Sequence, residues 1–218
     1  MCSLIAKQPE GIPCIEGDTY QAVCYQVIDL GTQRNTVYNV NQKKVIIGWE
    51  IPELRIDIDR EGVKMNLPRA ISKTYTNSLS EKANLTADLV NWRGCEFTQE
   101  ELDNFDLGKV VGKNCLLTVI NKNNTKGKRI AQVSGVSKLV KGMKVFEPEN
   151  PILTYDMDRD GILNIPAGLP DWIKKLIMES LEYKGVTHAQ NSPELAAAQE
   201  AAGMNREPEP SLDSNIPF

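Results

Sequence analysis

The sequence predicts a mainly β fold with a few short helices, and three observations carry that expectation. Several runs concentrate β-branched and aromatic residues without a helix-period stripe, proline and glycine punctuate them at short intervals, and helical spacing of apolar residues is confined to brief stretches. A chain of 218 residues supports one sizeable core plus appendages rather than two full domains.

The first strand is expected within Gly17 to Leu30, where Thr19 to Ile28 reads TYQAVCYQVI. Lys43 to Glu50 (KKVIIGWE) is the second. Beyond Pro52, the run Leu54-Arg55-Ile56-Asp57-Ile58-Asp59 alternates apolar and charged residues as a half-exposed strand does, and Arg60-Glu61-Gly62 turns it into a ribbon. Pro68 to Thr76 (PRAISKTYT) is the third strand, with proline at its start where a missing N–H is tolerated. A helix follows: Ser78 and Glu81 stand in capping-box spacing, Leu85, Leu89 and Trp92 share a face, and Gly94 is the stop. Thr98 and Glu101 repeat the capping signal for a shorter helix. Cys115 to Ile120 and Arg129 to Val136 are two more strands, joined by the polar loop Asn121 to Lys128 into a hairpin with a basic tip.

Five strands with a helix between the third and fourth is the order of an OB-fold, a small, partly open barrel that often binds oligonucleotides through its second and third strands and flanking loops. Pro148 to Gly168 is then a proline-punctuated connection. Pro170 starts a helix with Trp172, Ile173, Leu176, Ile177 and Leu181 along one side, expected to pack on the barrel. Trp92, Trp172, Phe97 and Phe105 read as core. From Val186 onward large apolar residues nearly vanish until Ile216 and Phe218, too few to bury the surface that folding needs, although Pro193 to Ala202 leans towards helix. The expected organisation is an OB-like domain with its C-terminal helix over residues 1–185 and a disordered acidic linker and tip over 186–218.

Composition excludes several classes. No apolar run approaches the roughly 20 residues of a membrane span, and Met1-Cys2-Ser3-Leu4 does not open a secretory signal, so the cytoplasm is expected. Cys2, Cys14, Cys24, Cys95 and Cys115 are odd in number and widely spaced, and His188 is the single histidine, which argues for free thiols over zinc or disulfides. Asp156-Met157-Asp158-Arg159-Asp160-Gly161 imitates the opening of a calcium loop, but Ala167 stands where the bidentate glutamate belongs. An acidic turn is the expectation, with no metal and no cofactor. A Walker A loop, a G-x-S-x-G turn and a Rossmann glycine pattern are missing, so no enzyme is expected.

The net charge of −4 conceals an uneven distribution. Residues 186–218 carry Glu194, Glu200, Glu207, Glu209 and Asp213 against Arg206, which accounts for all of it and leaves residues 1–185 neutral. Within that neutral body, Lys109 to Lys144 holds nine lysines or arginines and no acid. Binding a single strand needs a cationic groove for phosphates and aromatic faces for bases. The candidates are Trp49 on the second strand, Arg69, Lys73 and Tyr75 on the third, and Lys122, Lys126, Lys128 and Arg129 on the hairpin. Trp49 and Tyr75 read equally well as stacking platforms or as core, and a lysine-rich tip is often only a solvated turn; their joint placement beside one OB groove favours binding.

Leu212-Asp213-Ser214-Asn215-Ile216-Pro217-Phe218 places large apolar residues at the end of a polar tail, as in a peptide awaiting a pocket. Asp213, Ile216, Pro217 and Phe218 resemble the C-terminal tip of bacterial single-stranded DNA-binding proteins, with Ser214 and Asn215 where those tips usually carry further aspartates. The body is similar instead to a bacteriophage single-stranded DNA-binding family. The residues that carry this are Tyr25 to Gln33, Ile47 to Glu50, Ser72 to Thr76, Asn91 to Gly94, Gly112 to Leu117 and Leu169 to Ile173. That resemblance implies an OB-fold, sequence-tolerant binding of single-stranded DNA during replication and recombination, and a tip that recruits a polymerase, helicase or nuclease in the host cytoplasm. Two other classes compete: an adaptor that binds only proteins, which the acid-free stretch disfavours, and a metal-dependent nuclease built on Asp156, Asp158 and Asp160, which lacks supporting residues.

Overall fold

The computed structural model describes residues 13–35, 38–60 and 62–190. Cys2, the predicted turn residue Glu61 and the tail residues 191–218, with Asp213, Ile216, Pro217 and Phe218, lie outside the described residues.

The fold is mainly β. Strands β1 (Thr19–Asn35), β2 (Val40–Arg60), β3 (Val63–Thr76), β4 (Asn114–Asn123) and β5 (Arg129–Lys138) pair antiparallel in the order β3-β2-β1-β4-β5. A short β6 (Leu153–Tyr155) runs parallel to β1 at Gln26–Ile28, continuing the edge that β4 leaves at Val23. Among the described residues β3 and β5 approach each other without pairing, so the sheet does not close into a barrel. Helix α1 (Asn84–Arg93) packs against both of these unpaired strands.

β1 is buried along almost its whole length because it serves two cores. Ala22, Cys24 and Val27 join Val45, Ile47, Trp49 and Ile51 of β2 in the main core, whereas Ile28 and Leu30 join Ile46 in a second one. Even-numbered residues face the main core before Tyr25 and an odd-numbered one after it, because the register with β2 shifts between Cys24 and Gln26. A second shift falls at Asp29–Gly31, where Gly31 has φ 66° and donates its N–H to Asp29 Oδ1 at 2.9 Å. A Cβ there would stand 2.7 Å from Glu182 Oε2, so glycine is required for both backbone and space.

β2 does not break at Pro52. The strand passes it through an irregularity between Ile51 and Arg55, where the absent N–H costs no ladder bond, and pairs with β3 out to Arg60↔Val63. The expected ribbon therefore forms, as part of two long strands. The expected capping of α1 by Ser78 and Glu81 does not form: the helix begins later, at Asn84, with Ala83 at its N-cap and no side-chain cap, and Ser78 Oγ instead accepts from Ser80 N. Its predicted face does hold, with Leu85, Leu89 and Trp92 buried and Gly94 left-handed at the end. The capping box of α2 (Gln99–Asn104) forms between Thr98 and Glu101. Phe97 and Phe105 are half-buried against the main core, edge to face at 4.9 Å.

The region expected as connection holds β6 and the one-turn α3 (Met157–Asp160). Helix α4 (Asp171–Met178) then seats Ile173 and Ile177, with Leu169 ahead of it, on Ile28, Leu30 and Ile46. Trp172 is a correction: it is 51% exposed, because the buried stripe runs through 169, 173 and 177. Leu181 is exposed too, since α4 ends at Met178 and α5 (Leu181–Gln190) begins afresh, with Ser180 Oγ accepting from Tyr183 N. The boundary expected at residue 186 falls inside α5. Among the described residues no helix is long and apolar enough to cross a membrane.

Candidate nucleic-acid interface

Antiparallel partners share a face, so Arg69, Ile71, Lys73 and Tyr75 of β3 stand beside Ile51, Trp49, Ile47 and Val45 of β2 on the main-core side. This placement corrects two of the candidate stacking residues. Trp49 is fully buried, its ring 5.8 Å from that of Trp92, and Tyr75 is 3% exposed, so neither presents a face to a base. Burial, reinforced by the adjacent Asp88 carboxylate, pushes the Tyr75 phenol well above its ordinary pKa.

Lys73 sits at the open edge of this face. Its Nζ lies 2.6 Å from Asp88 Oδ2, which also accepts from the Tyr75 hydroxyl at 2.8 Å. The lysine lines two adjoining clefts. One, of about 300 Å³, is walled by Asn84, Ala87 and Asp88 of α1 and by Ile120, Lys122 and Gln132 of the β4–β5 hairpin. The other, of about 380 Å³, adds Lys44, Thr76, Ser78 and Lys82. Both include Asn84, at the start of an α1 whose first turn carries no acid, so the positive end of the helix dipole reinforces the lysines. Lys44 donates to Thr76 Oγ1 and Gln42 Oε1, both at 2.8 Å. Lys44 and Lys82 were not singled out from the sequence; only the register of β2 on β3 and the late start of α1 bring them here.

At the hairpin tip Asn124 Oδ1 accepts from both Lys126 N and Lys128 N at 2.9 Å, fixing a turn that leaves the two lysine side chains exposed. Arg129 differs from its neighbours: its guanidinium is held by Glu16 at 2.5 Å and by Asn121 Oδ1 at 2.6 Å. Arg69 is half-buried opposite Ile51 and lies close enough to Tyr20 to oppose the upward pull that burial, Asp18 and Glu16 exert on that phenol. The structure thus brings Lys73 and Lys122 to one cleft, puts Lys126 and Lys128 at the adjacent tip, and engages Arg129 elsewhere.

The nine cations of the acid-free segment divide into two groups. Four occupy the hairpin, while Lys109, Lys113, Lys138, Lys141 and Lys144 gather at the opposite end of β4 and β5. The chain from Leu139 to Asn150 is strapped over that end. Asn114 Nδ2 donates to Phe146 O and its Oδ1 accepts from Phe146 N, and the fully buried Glu50 accepts from the N–H groups of Glu149 and Asn150 and from Asn150 Nδ2.

The aspartates of the calcium-like stretch serve the backbone. Asp156 caps α3 by accepting from Asp158 N and Arg159 N, Asp160 accepts from Asp156 N and pairs with Arg159, and Asp158 lies 3.3 Å from Lys43. Among the described residues no group of three or more His, Cys, Asp or Glu side chains is disposed to hold a metal. The four described cysteines are free thiols, and burial pushes that of Cys24 up to about 12.

Comparison with protein-family models, curated proteins and solved structures finds no match for the chain.

Proposed function

We propose that this chain is a non-enzymatic, sequence-tolerant binder of single-stranded DNA, of the kind that covers strands exposed in replication and recombination. The observation that carries the reading is the convergence of Lys44, Lys82 and Lys122 on the adjoining clefts around the start of α1, with Lys126 and Lys128 at the neighbouring tip; Lys73 lines both clefts but is paired with Asp88. Such an array neutralises phosphates spaced along one strand without reading base edges. The sheet order β3-β2-β1-β4-β5, with α1 between β3 and β4, supports an OB-like assignment, in which the β2–β3 face and the β4–β5 loop are customary oligonucleotide surfaces. The sequence resemblance to bacteriophage single-stranded DNA-binding proteins points the same way. Asp213, Ile216, Pro217 and Phe218 are proposed to dock a replication or repair enzyme.

Fluorescence anisotropy of labelled oligo(dT) and of a matched duplex, at two salt concentrations and without added metal, tests the reading. Tight, salt-sensitive binding of the single strand with weak binding of the duplex is expected. Failure to bind either refutes it and leaves a protein adaptor as the better account.

A further inference from the structure

With Trp49 and Tyr75 in the core, the bases of a bound strand need another apolar surface, and one lies at the far end of α1. A cleft of about 680 Å³ opens there between α1, the 95–113 segment and the strap, lined by Trp92, Phe97, Phe105, Val110, Leu139 and Val145. That volume is in the range that encloses organic ligands. Lys109, Lys113 and Lys138 stand at its margin, all exposed and none in an ion pair among the described residues. Arg93 at the same margin is bound to Glu101 at 2.7 Å and lies 4.4 Å above the Phe97 ring; Glu147 is the one acid in the lining. The strap extends the surface with exposed Val140 and Met143, each followed by a lysine, Lys141 and Lys144.

We propose that this cleft receives bases of the same single strand whose phosphates are held at the Lys73–Lys122 cleft, an inference that rests on the DNA-binding reading. The two clefts flank one short helix: Asn84, Ala87 and Asp88 line the first, Leu89, Trp92 and Arg93 the second. Strand β5 borders both, through Gln132 to Ser134 and through Lys138. A ten-residue helix is about 15 Å long, a distance a strand covers in a few nucleotides. The margin is cationic and the interior apolar and aromatic, which is the pairing that phosphates and bases require. An acidic, apolar peptide is the competing occupant, but nothing links a peptide site to the cations at the other end of α1.

The test uses the full chain with fluorescein-labelled oligo(dT), plus an oligo(dT) carrying 4-thiothymidine for cross-linking. Replacing Lys109, Lys113 and Lys138 together by Gln is expected to reduce the slope of log K against log salt by about 2, at roughly 0.7 per phosphate contact. Phe97→Leu is expected to weaken binding roughly 5-fold or more, and cross-links should map to residues 92–113 and 138–146. The inference is overturned, with DNA binding itself intact, if both variants bind as wild type does and cross-links fall only on the β4–β5 hairpin. It is overturned in favour of a peptide pocket if a synthetic 207–218 peptide binds the cleft and oligo(dT) does not displace it. If wild type binds no oligo(dT), the function proposed above fails along with it.

Discussion

Trp49→Phe separates a core indole from a base-stacking one, because two opposed terms of similar size meet at that residue. The indole is fully buried beside Trp92, Val45 and Ile47, and its Nε1 has no hydrogen-bond partner among the described residues. Shortening it to a phenyl ring removes roughly 40 Å³, which at about 24 cal/mol per Å³ costs about 1 kcal/mol as cavity, with about 1 kcal/mol more in lost transfer energy. The same change deletes a buried donor whose desolvation penalty is about 1–3 kcal/mol. The terms nearly cancel, so Trp49→Phe should shift stability by no more than about 1 kcal/mol, or about 2–4 °C in Tm for a domain of this size. Trp49→Ala leaves the full void and should cost about 3–5 kcal/mol. Thermal unfolding by circular dichroism reads both, and oligo(dT) anisotropy below the melting transition should give wild-type affinity for Trp49→Phe. A tenfold loss of affinity with Tm unchanged would refute the core assignment, since it would require the ring to reach a base.

Three other perturbations follow from named contacts. Replacing Lys126 and Lys128 together by Gln should lower the salt slope of oligo(dT) binding by about 1.4, whereas Arg129→Gln should leave it unaltered because Glu16 and Asn121 already hold that guanidinium. Glu50→Ala strips three N–H donors of a buried acceptor and should cost about 3 kcal/mol or more, read as a lower urea midpoint with faster amide exchange at Glu149 and Asn150. Hydrogen bonding from Arg93, then from Thr98 N–H, holds the Glu101 carboxyl near 2 against an ordinary 4.5. A depressed carboxyl stabilises the fold above its unfolded pKa and loses that contribution as pH falls through the folded one. Glu101→Gln should therefore lower Tm at pH 7, and the gap from wild type should close as pH drops from 4.5 towards 2.

The strands were legible wherever one cause fixed them locally. The hairpin of β4 and β5, the Thr98–Glu101 capping box and the glycine stop of α1 each rest on residues a few positions apart, and each is present. What escaped depends on distant partners. β6 is three residues long and exists because β4 leaves the edge of β1 open beyond Val23. Trp172 looked like core because it sits one position from a buried stripe, and only the docking of α4 on Ile28, Leu30 and Ile46 decides which position turns inward. Among the site residues, Lys73 was legible as a cation on a predicted strand and Lys122 as one in the hairpin loop, although β4 runs on to Asn123 and takes Lys122 into the strand. The burial of Trp49 and Tyr75 was not, because the bulge in β1 and the pairing of β2 with β3 set which face of the sheet is covered. Nor was the split of the nine cations into two groups, since residues 109–113 and 138–144 meet only after β4 and β5 pair.

The double burial of β1 also constrains where a ligand can lie. Ile28, Leu30 and Ile46 place the second core on the outer face of β1 and β2, under Leu169, Ile173 and Ile177, and the strap held by Glu50 and Asn114 covers the adjoining part. A strand of nucleic acid crossing that face would have to displace a core helix or break contacts to a fully buried carboxylate. Among the described residues the side bounded by β3, α1 and β5 carries no such cover: β3 and β5 do not pair, α1 packs on both, and a cationic cleft lies at each end of that helix. On the proposed function, the layer that completes the fold on one side of β1 leaves only the other for a polyanion, and substitutions in α4 that keep the fold should leave oligo(dT) affinity unaffected while substitutions lining either cleft should not.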